Sequence, residues 1–298
     1  MDGPDRPRSK ATGHDGRVSS RQEDSHMDVL IMLVSATAII FLVKFGLLRG
    51  LDNIASAMKW SAKARGQATG YATSVPELVC LVSAGLAGVW EAGLWNIASS
   101  NIINAGLMML AVMKYRQARD LLNRRFVDEI GFAALAVAVP IGLMSFGLDT
   151  EWWLTPALLG FFVVYRIVDK RKNAAEDTEE PADETVGSLP FGLIILSAAL
   201  TAIVIAGFFL GNATADVVET IGLHPAIAGW ILGLTTSIPE MISFFSVYGT
   251  AAKEGKLQNL NDTQEALDNI TGSNMANVGV VYPIGLAAFL IGTALLAG

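Results

Sequence analysis

The feature that most restricts this chain is where its positive charges are missing. No lysine or arginine occurs from Gly66 to Met113, from Phe126 to Tyr165, from Asn173 to Ala252, or from Leu257 to the end. Apolar stretches of about 20 residues without charge are what a hydrocarbon layer ~30 Å thick selects. The composition agrees: of 298 residues, 52% are hydrophobic and 16% charged, against about 25% charged in a soluble domain. Mean hydropathy is +0.46. A soluble enzyme is excluded. The net charge of −7, with no basic face, excludes a nucleic-acid binder. One cysteine, Cys80, excludes a disulfide framework and a multi-thiolate metal site. The chain reads as an all-α polytopic membrane protein.

Eight helical spans are expected, at about 28–48, 66–89, 92–114, 128–148, 151–168, 188–211, 225–248 and 264–297. The last would reach roughly 50 Å at 1.5 Å per residue, so it must tilt or bend at Pro283. Residues 1–27 are polar, with both charge signs and no apolar run, and are expected to be a disordered tail that is no signal peptide. Leu51–Trp60 reads as a short interfacial helix. Residues 28–168 form a first half and 188–298 a second. Between them lies a hydrophilic linker, 169–187, with six acids from Glu176 to Glu184.

All sixteen Lys and Arg from Lys44 onward fall at one set of span ends. By the positive-inside rule that side is cytosolic. The linker then faces the cytosol, both termini face outward, and the plasma (inner) membrane is the expected location. Lys63 and Arg65 are expected to snorkel to the cytosolic surface. Trp152 and Trp153 suit an interfacial belt. Cys80 reads as inert packing, and His224, at a span end, as incidental.

The sequence also repeats itself. Thr73-Ser74-Val75-Pro76-Glu77-Leu78 recurs as Thr236-Ser237-Ile238-Pro239-Glu240-Met241, 163 positions on (73 to 236). Asn96-Ile97-Ala98-Ser99-Ser100-Asn101-Ile102-Ile103-Asn104 recurs as Asn269-Ile270-Thr271-Gly272-Ser273-Asn274-Met275-Ala276-Asn277, 173 positions on (96 to 269). Equivalent helices lie five spans apart, an odd number, so the second copy is inverted in the membrane. Inverted repeats with broken, polar helices are the architecture of secondary transporters, with the site at the midplane.

Glu77 and Glu240 fall mid-span among apolar or small neutral residues. An ionisable group at that depth costs at least ~2.5–3.5 kcal/mol, so two related ones imply a ligand. Each follows a proline, which removes an amide donor and clashes with the carbonyl four residues earlier, here Ala72 or Thr235. Kinked second and seventh helices are expected, offering free carbonyls beside a carboxylate. Thr73 shares a face with Glu77, and Thr236 with Glu240. On the partner helices Asn96, Ser100 and Asn104 form one stripe, as do Asn269, Ser273 and Asn277. Asn101 and Asn274 lie off these stripes and are open to a packing role. Carboxylates, hydroxyls and amides without imidazole or thiolate suit a hard cation such as Ca²⁺ or Na⁺. Two carboxylates balance one divalent ion.

Both motifs resemble the α-repeats of the Na⁺/Ca²⁺ exchanger family, within the calcium/cation antiporter superfamily. That family carries G-T-S-x-P-E in one repeat helix and G-S-N-x-x-N or G-S-N-x-x-D in the next. The resemblance covers about Gly66–Tyr115 and Pro225–Val281. It implies the inverted-repeat exchanger fold and alternating access, with Na⁺ entering as Ca²⁺ leaves. By this resemblance Glu77 and Glu240 bind Ca²⁺ and help bind Na⁺. Thr73, Ser74, Thr236 and Ser237 match the family's ligating hydroxyls, and Gly70 and Gly233 its carbonyl positions. Ser100, Ser273 and Asn104 match further ligands.

Asn277 stands where many exchangers carry Asp, so a third carboxylate is absent. Asp268, nearer the cytosolic end, is not read as its replacement. Ala72 and Thr235 replace a motif glycine, as does Ser99. Prokaryotic relatives mostly have ten spans, two more than are expected here.

No cofactor is expected, since Ca²⁺ and Na⁺ are cargo, and the chain is expected to work as a monomer in the lipid bilayer. Coupling to H⁺ or K⁺ is the alternative, because close buried carboxylates can hold protons instead. An intramembrane metal-dependent hydrolase using the glutamates is a reading from another class. It is disfavoured by the lack of membrane-depth histidine and by the duplication of the acids. An inactive scaffold is disfavoured because both glutamates are intact.

Overall fold

The computed structural model describes residues 15–172, 187–255, 257 and 260–296, with side chains from His26 to Leu295 within these ranges. All secondary structure among them is helical. This follows from the solvent, since lipid offers the backbone no partners and each span must satisfy its own N–H and C=O groups.

Helix α1 (Asp15–Leu42) runs through a π turn, Val43–Leu47, into α2 (Leu48–Met58) without a break. Two expectations change here. Residues 15–27 of the expected tail are the start of α1, and residues 1–14 lie outside the described residues. The separate interfacial helix at Leu51–Trp60 is instead the end of the first long helix. Gly50, Leu51, Ile54 and Ala55 are buried, because a Cβ at Gly50 would come within 2.8 Å of the Leu196 backbone nitrogen. That close approach draws the stretch into the bundle.

The first repeat follows as α3 (Ala62–Thr73), α4 (Val75–Leu86) and α5 (Trp90–Tyr115). A one-turn α6 (Ala118–Leu121) leads to α7 (Val127–Ser145) and α8 (Leu154–Lys172). The second half holds α9 (Leu189–Ile221), α10 (Pro225–Thr236), α11 (Ile238–Glu254), α12 (Asn261–Ala276) and, after a π turn at Asn277–Val281, α13 (Tyr282–Leu296). Among the described residues, six stretches are long and apolar enough to cross a membrane. The other two expected spans are α3–α4, interrupted at Ser74, and α8, 19 residues long with a basic last turn. Asp169, expected in the linker, is a buried residue of α8. The acidic run Glu176–Glu184 lies outside the described residues.

The repeats interlock. α3 of the first packs along α12 of the second, and α10 of the second along α5 of the first. Around this centre α1 and α2 line α9, while α4 lies between α9 and α13. Leu81, Leu94, Tyr165 and Tyr282 belong to one apolar core, and Ile39, Val43, Ile203 and Leu210 to another. Outward-facing Leu30, Phe41, Ile194 and Phe208 stay exposed, as a surface against lipid tails requires.

Candidate cation site

Both proline motifs resolve into the same local structure. α3 ends at Thr73 and α10 at Thr236, with Ser74 (φ −81°, ψ −3°) and Ser237 (φ −82°, ψ −5°) as single-residue breaks. Pro76 and Pro239 then sit at the start of the next half-helix, where a missing N–H goes unnoticed. Helical bonding resumes at once: the Leu78 and Met241 amides donate to the Ser74 and Ser237 carbonyls at 3.1 Å each. Glu77 and Glu240 therefore occupy the first turns of α4 and α11, where the helix dipole favours negative charge.

Each carboxylate, 0% exposed, takes one hydroxyl from its own repeat. Ser100 donates to Glu77 Oε1 at 2.9 Å, and Ser273 donates to Glu240 Oε1 at 3.0 Å. Each of these serines meets a break serine of the opposite repeat, with Ser100 Oγ 3.0 Å from Ser237 Oγ and Ser273 Oγ 3.1 Å from Ser74 Oγ. A hydroxyl has one proton, so with Ser100 and Ser273 donating to the acids, the break serines supply the second link. The threonines cross over as well: Thr236 approaches Glu77 and Thr73 approaches Glu240. Their nearest hydrogen bonds run to Asn96 Oδ1 (3.2 Å) and Gly70 O (3.2 Å) respectively. The Glu240 charge lies near enough to Glu77 to oppose a negative charge there. Among the described residues neither glutamate has a lysine, arginine or histidine partner, and one oxygen of each, Oε2, has no hydrogen-bond donor.

An amide network continues from this cage. Asn104 Nδ2 donates to Asn274 Oδ1 (3.2 Å), Asn274 Nδ2 to Asn101 O (3.3 Å), and Asn277 Nδ2 to Asn101 Oδ1 (2.9 Å). Asn101 Nδ2 is committed to Ala136 O at 2.9 Å. Asn101 and Asn274, left open by the sequence, are thus the links between the two stripe ends. Asn104 Oδ1 and Asn277 Oδ1 remain buried acceptors without donors, which leaves amide oxygens for a cation.

Glycines set how closely the repeats cross. A Cβ on Gly70 would stand 2.3 Å from Asn269 O, and one on Gly233 2.0 Å from Ser99 Oγ. One turn earlier, Gly66 and Gly229 would meet Glu265 O at 2.4 Å and Ala92 O at 2.6 Å. Gly66 and Gly229 were readable as part of the repeat, since they share its spacing of 163 (66 to 229). The substituted motif positions Ala72 and Thr235 are only partly buried, whereas every ligand candidate is buried, so they leave the cage intact. His224 caps α10, its Nδ1 accepting from the Ala226 amide at 3.2 Å.

Sequence reasoning missed a second polar cluster. Lys63 does not snorkel: it is buried against Asp169, Nζ to Oδ1 at 2.6 Å. Gln67 and Arg166 hold the other Asp169 oxygen at 2.9 and 3.3 Å. Arg65 is partly buried and pairs with Asp52 at 2.7 Å. With Glu129 of α7 and Asp268 of α12 beside Asp169, the cluster joins α3, α7, α8 and α12, a juxtaposition that no repeated motif announces.

Comparison with known proteins bears out the resemblance. The family model described as sodium/calcium exchanger protein matches residues 191–296. No curated protein sequence matches the chain. Solved structures of the sodium-calcium exchanger NCX_Mj share the fold. One, soaked with 2.5 mM Na⁺ and 1 mM Sr²⁺, has a TM-score of 0.53 at 19% identity over 90% of this chain and 89% of that one. A second, soaked with 2.5 mM Na⁺ and 10 mM Sr²⁺, gives 0.51 at 21% identity over 91% and 90%. A third, soaked with 2.5 mM Na⁺ and 0.1 mM Ca²⁺, gives 0.51 at 20% identity over 91% and 89%. About a tenth of each NCX_Mj chain falls outside these matches.

Proposed function

We propose that this chain is a secondary active antiporter that exchanges Ca²⁺ for Na⁺ across a membrane by alternating access, with Glu77 and Glu240 as the charged ligands of one shared site. The observation that carries this reading is the crossed cage. Two fully buried glutamates from inverted repeats are linked by serine hydroxyls, with no basic side chain among the described residues to neutralise them. A buried carboxylate pair without a counter-charge is unfavourable by several kcal/mol, so a cation must complete it. The donor set is all oxygen, which selects a hard ion over zinc or copper. Two negative charges balance one Ca²⁺, or the smaller charges of Na⁺ ions entering in its place. Thr73, Ser74, Thr236, Ser237, Ser100 and Ser273 supply hydroxyl oxygens, Gly70 and Gly233 carbonyls, and Asn104 and Asn277 amide oxygens. The basic span ends are assigned to the cytosol. The NCX_Mj structures were soaked with Na⁺ together with Ca²⁺ or Sr²⁺, and the shared fold supports the same class of cargo here.

Radiotracer Ca²⁺ uptake into proteoliposomes tests this. An outward Na⁺ gradient is expected to drive uptake, and K⁺ to be without effect. Uptake driven equally well by a pH gradient in the absence of Na⁺ would overturn the Na⁺ coupling.

A further inference from the structure

The second polar cluster contains a carboxylate that nothing in the cation site uses. One oxygen each of Glu129, Asp169 and Asp268 lies within 4.8 Å of the others. Their surroundings differ. Asp169 is fully committed, with Oδ1 on Lys63 and Oδ2 on Gln67 and Arg166. Asp268, 1% exposed, has no base within ion-pair distance among the described residues. Its one partner is the Gln264 amide, which donates to Oδ2 from one turn earlier on α12.

Two atoms are left over. Asp268 Oδ1 and Gln264 Oε1 are both buried acceptors without a donor. The charged and titratable groups around them are otherwise engaged. On α3, Lys63 pairs with Asp169, and Tyr71 accepts from Arg166 at 2.9 Å. On α8, Arg166 is shared among Gln67, Tyr71 and Asp169, with Tyr165 alongside. Glu129 faces the cluster from α7. Glu265 of α12 turns to Arg65 at 3.6 Å.

A charged Asp268 would thus be a buried, unpaired anion beside an acceptor oxygen that also lacks a donor, and both are unfavourable. A metal ion would find too few free oxygens here, since Ca²⁺ alone takes six to eight. One proton satisfies both atoms. Placed on Asp268 Oδ1, it removes the charge and supplies the donor that Gln264 Oε1 lacks, while the amide continues to donate to Oδ2. We propose that Asp268 is a proton-binding site, with Gln264 as its hydrogen-bond partner, separate from the Glu77–Glu240 site and independent of the ion carried there. It sits on the α3–α12 crossing, where a Cβ at Gly66 would lie 3.0 Å from the Asp268 Cβ. Loss of the proton would therefore place an unpaired charge between the two repeats.

Infrared spectroscopy of the full chain in bilayers reads this directly, through the C=O stretch of neutral carboxyl groups. At neutral pH, Asp268→Asn should remove one carboxyl component from that band, and the component should survive in a Glu77→Gln/Glu240→Gln double variant. A neutral-carboxyl band unchanged by Asp268→Asn overturns the proposal. Should that variant fail to accumulate, Gln264→Leu keeps the acid and should shift the same component by removing its partner; no shift overturns it equally. Disappearance of the component on adding Na⁺ at fixed pH would assign the site to a metal cation and overturn the proton.

Discussion

The two repeats are alike where charge must be balanced and differ where only neutral hydrogen bonds are at stake. Glu77 with Ser100 and Ser237 mirrors Glu240 with Ser273 and Ser74, at distances that agree within 0.1 Å for each equivalent pair. The surroundings diverge. Asn269 donates to Ser243 Oγ at 2.7 Å. The position equivalent to Ser243 (243 less 163) is Cys80, a poor acceptor. Asn96 instead accepts from Thr236, and its own Nδ2 is left without a partner. Likewise Ser99 donates to Gly229 O at 3.2 Å, where the second repeat has Gly272. A buried charge tolerates little variation because its cost is large; a neutral amide can trade one partner for another at about 1 kcal/mol.

The largest effect should therefore come from breaking the charged pair. At the proposed site, Glu77→Gln or Glu240→Gln would remove half the charge available to balance a divalent ion, in a setting that screens little. At roughly 3 kcal/mol for a charge at this depth, Ca²⁺ exchange should fall by about 100-fold or more in either variant while the protein still inserts. Proteoliposome flux, beside the amount of protein reconstituted, checks this; equal transport by both variants would refute the pairing. Next come the crossing glycines. Gly70→Ala drives a methyl into backbone, Asn269 O at 2.3 Å, whereas Gly233→Ala meets first the Ser99 hydroxyl. Overpacking of this kind costs about 1–3 kcal/mol. Gly70→Ala should lose more folded protein in thermal melts, and Ser99→Gly should partly rescue Gly233→Ala but not Gly70→Ala.

Smaller effects should come from the neutral surroundings. Asn277→Asp replaces the amide that donates to Asn101 Oδ1, and Asn101 cannot turn its own amide round without abandoning Ala136 O. The new carboxyl must then carry a proton to keep that bond. Ca²⁺ exchange should persist, with a changed pH or Na⁺ dependence; an unchanged Na⁺ dose–response and pH profile would show that the position is electrostatically silent. Smallest of all, Cys80→Ser restores the symmetry of the repeats. It should shift apparent ion affinity by no more than about 0.5–1.5 kcal/mol, read from the concentration dependence of flux.

Much of this was legible in the sequence because membrane constraints are local and the repeat is internal evidence. Missing charge marked the apolar spans, and duplication singled out Glu77, Glu240, Thr73, Thr236 and the serine-asparagine stripes. The prolines gave an interruption, though its form is a one-residue break that puts each acid at a helix start. What stayed hidden depends on contacts between helices that share no motif. Lys63 looked like a surface residue because Asp169, 106 positions away, gave no sign of facing it. Leu51–Trp60 looked interfacial because the burial of Leu51, Ile54 and Ala55 depends on Gly50 and Gly192 meeting, where a Cβ on Gly192 would lie 2.8 Å from Gly50 O. His224 looked incidental because a cap is visible only once the helix start is fixed.

The central claim is that both repeats build one site. Calcium binding to the purified chain, measured by equilibrium titration without Na⁺, tests it most directly. One Ca²⁺ per chain is expected, with binding lost in Glu77→Gln and lost equally in Glu240→Gln. Two ions per chain, or a single-glutamate variant that keeps wild-type affinity, would contradict a shared site.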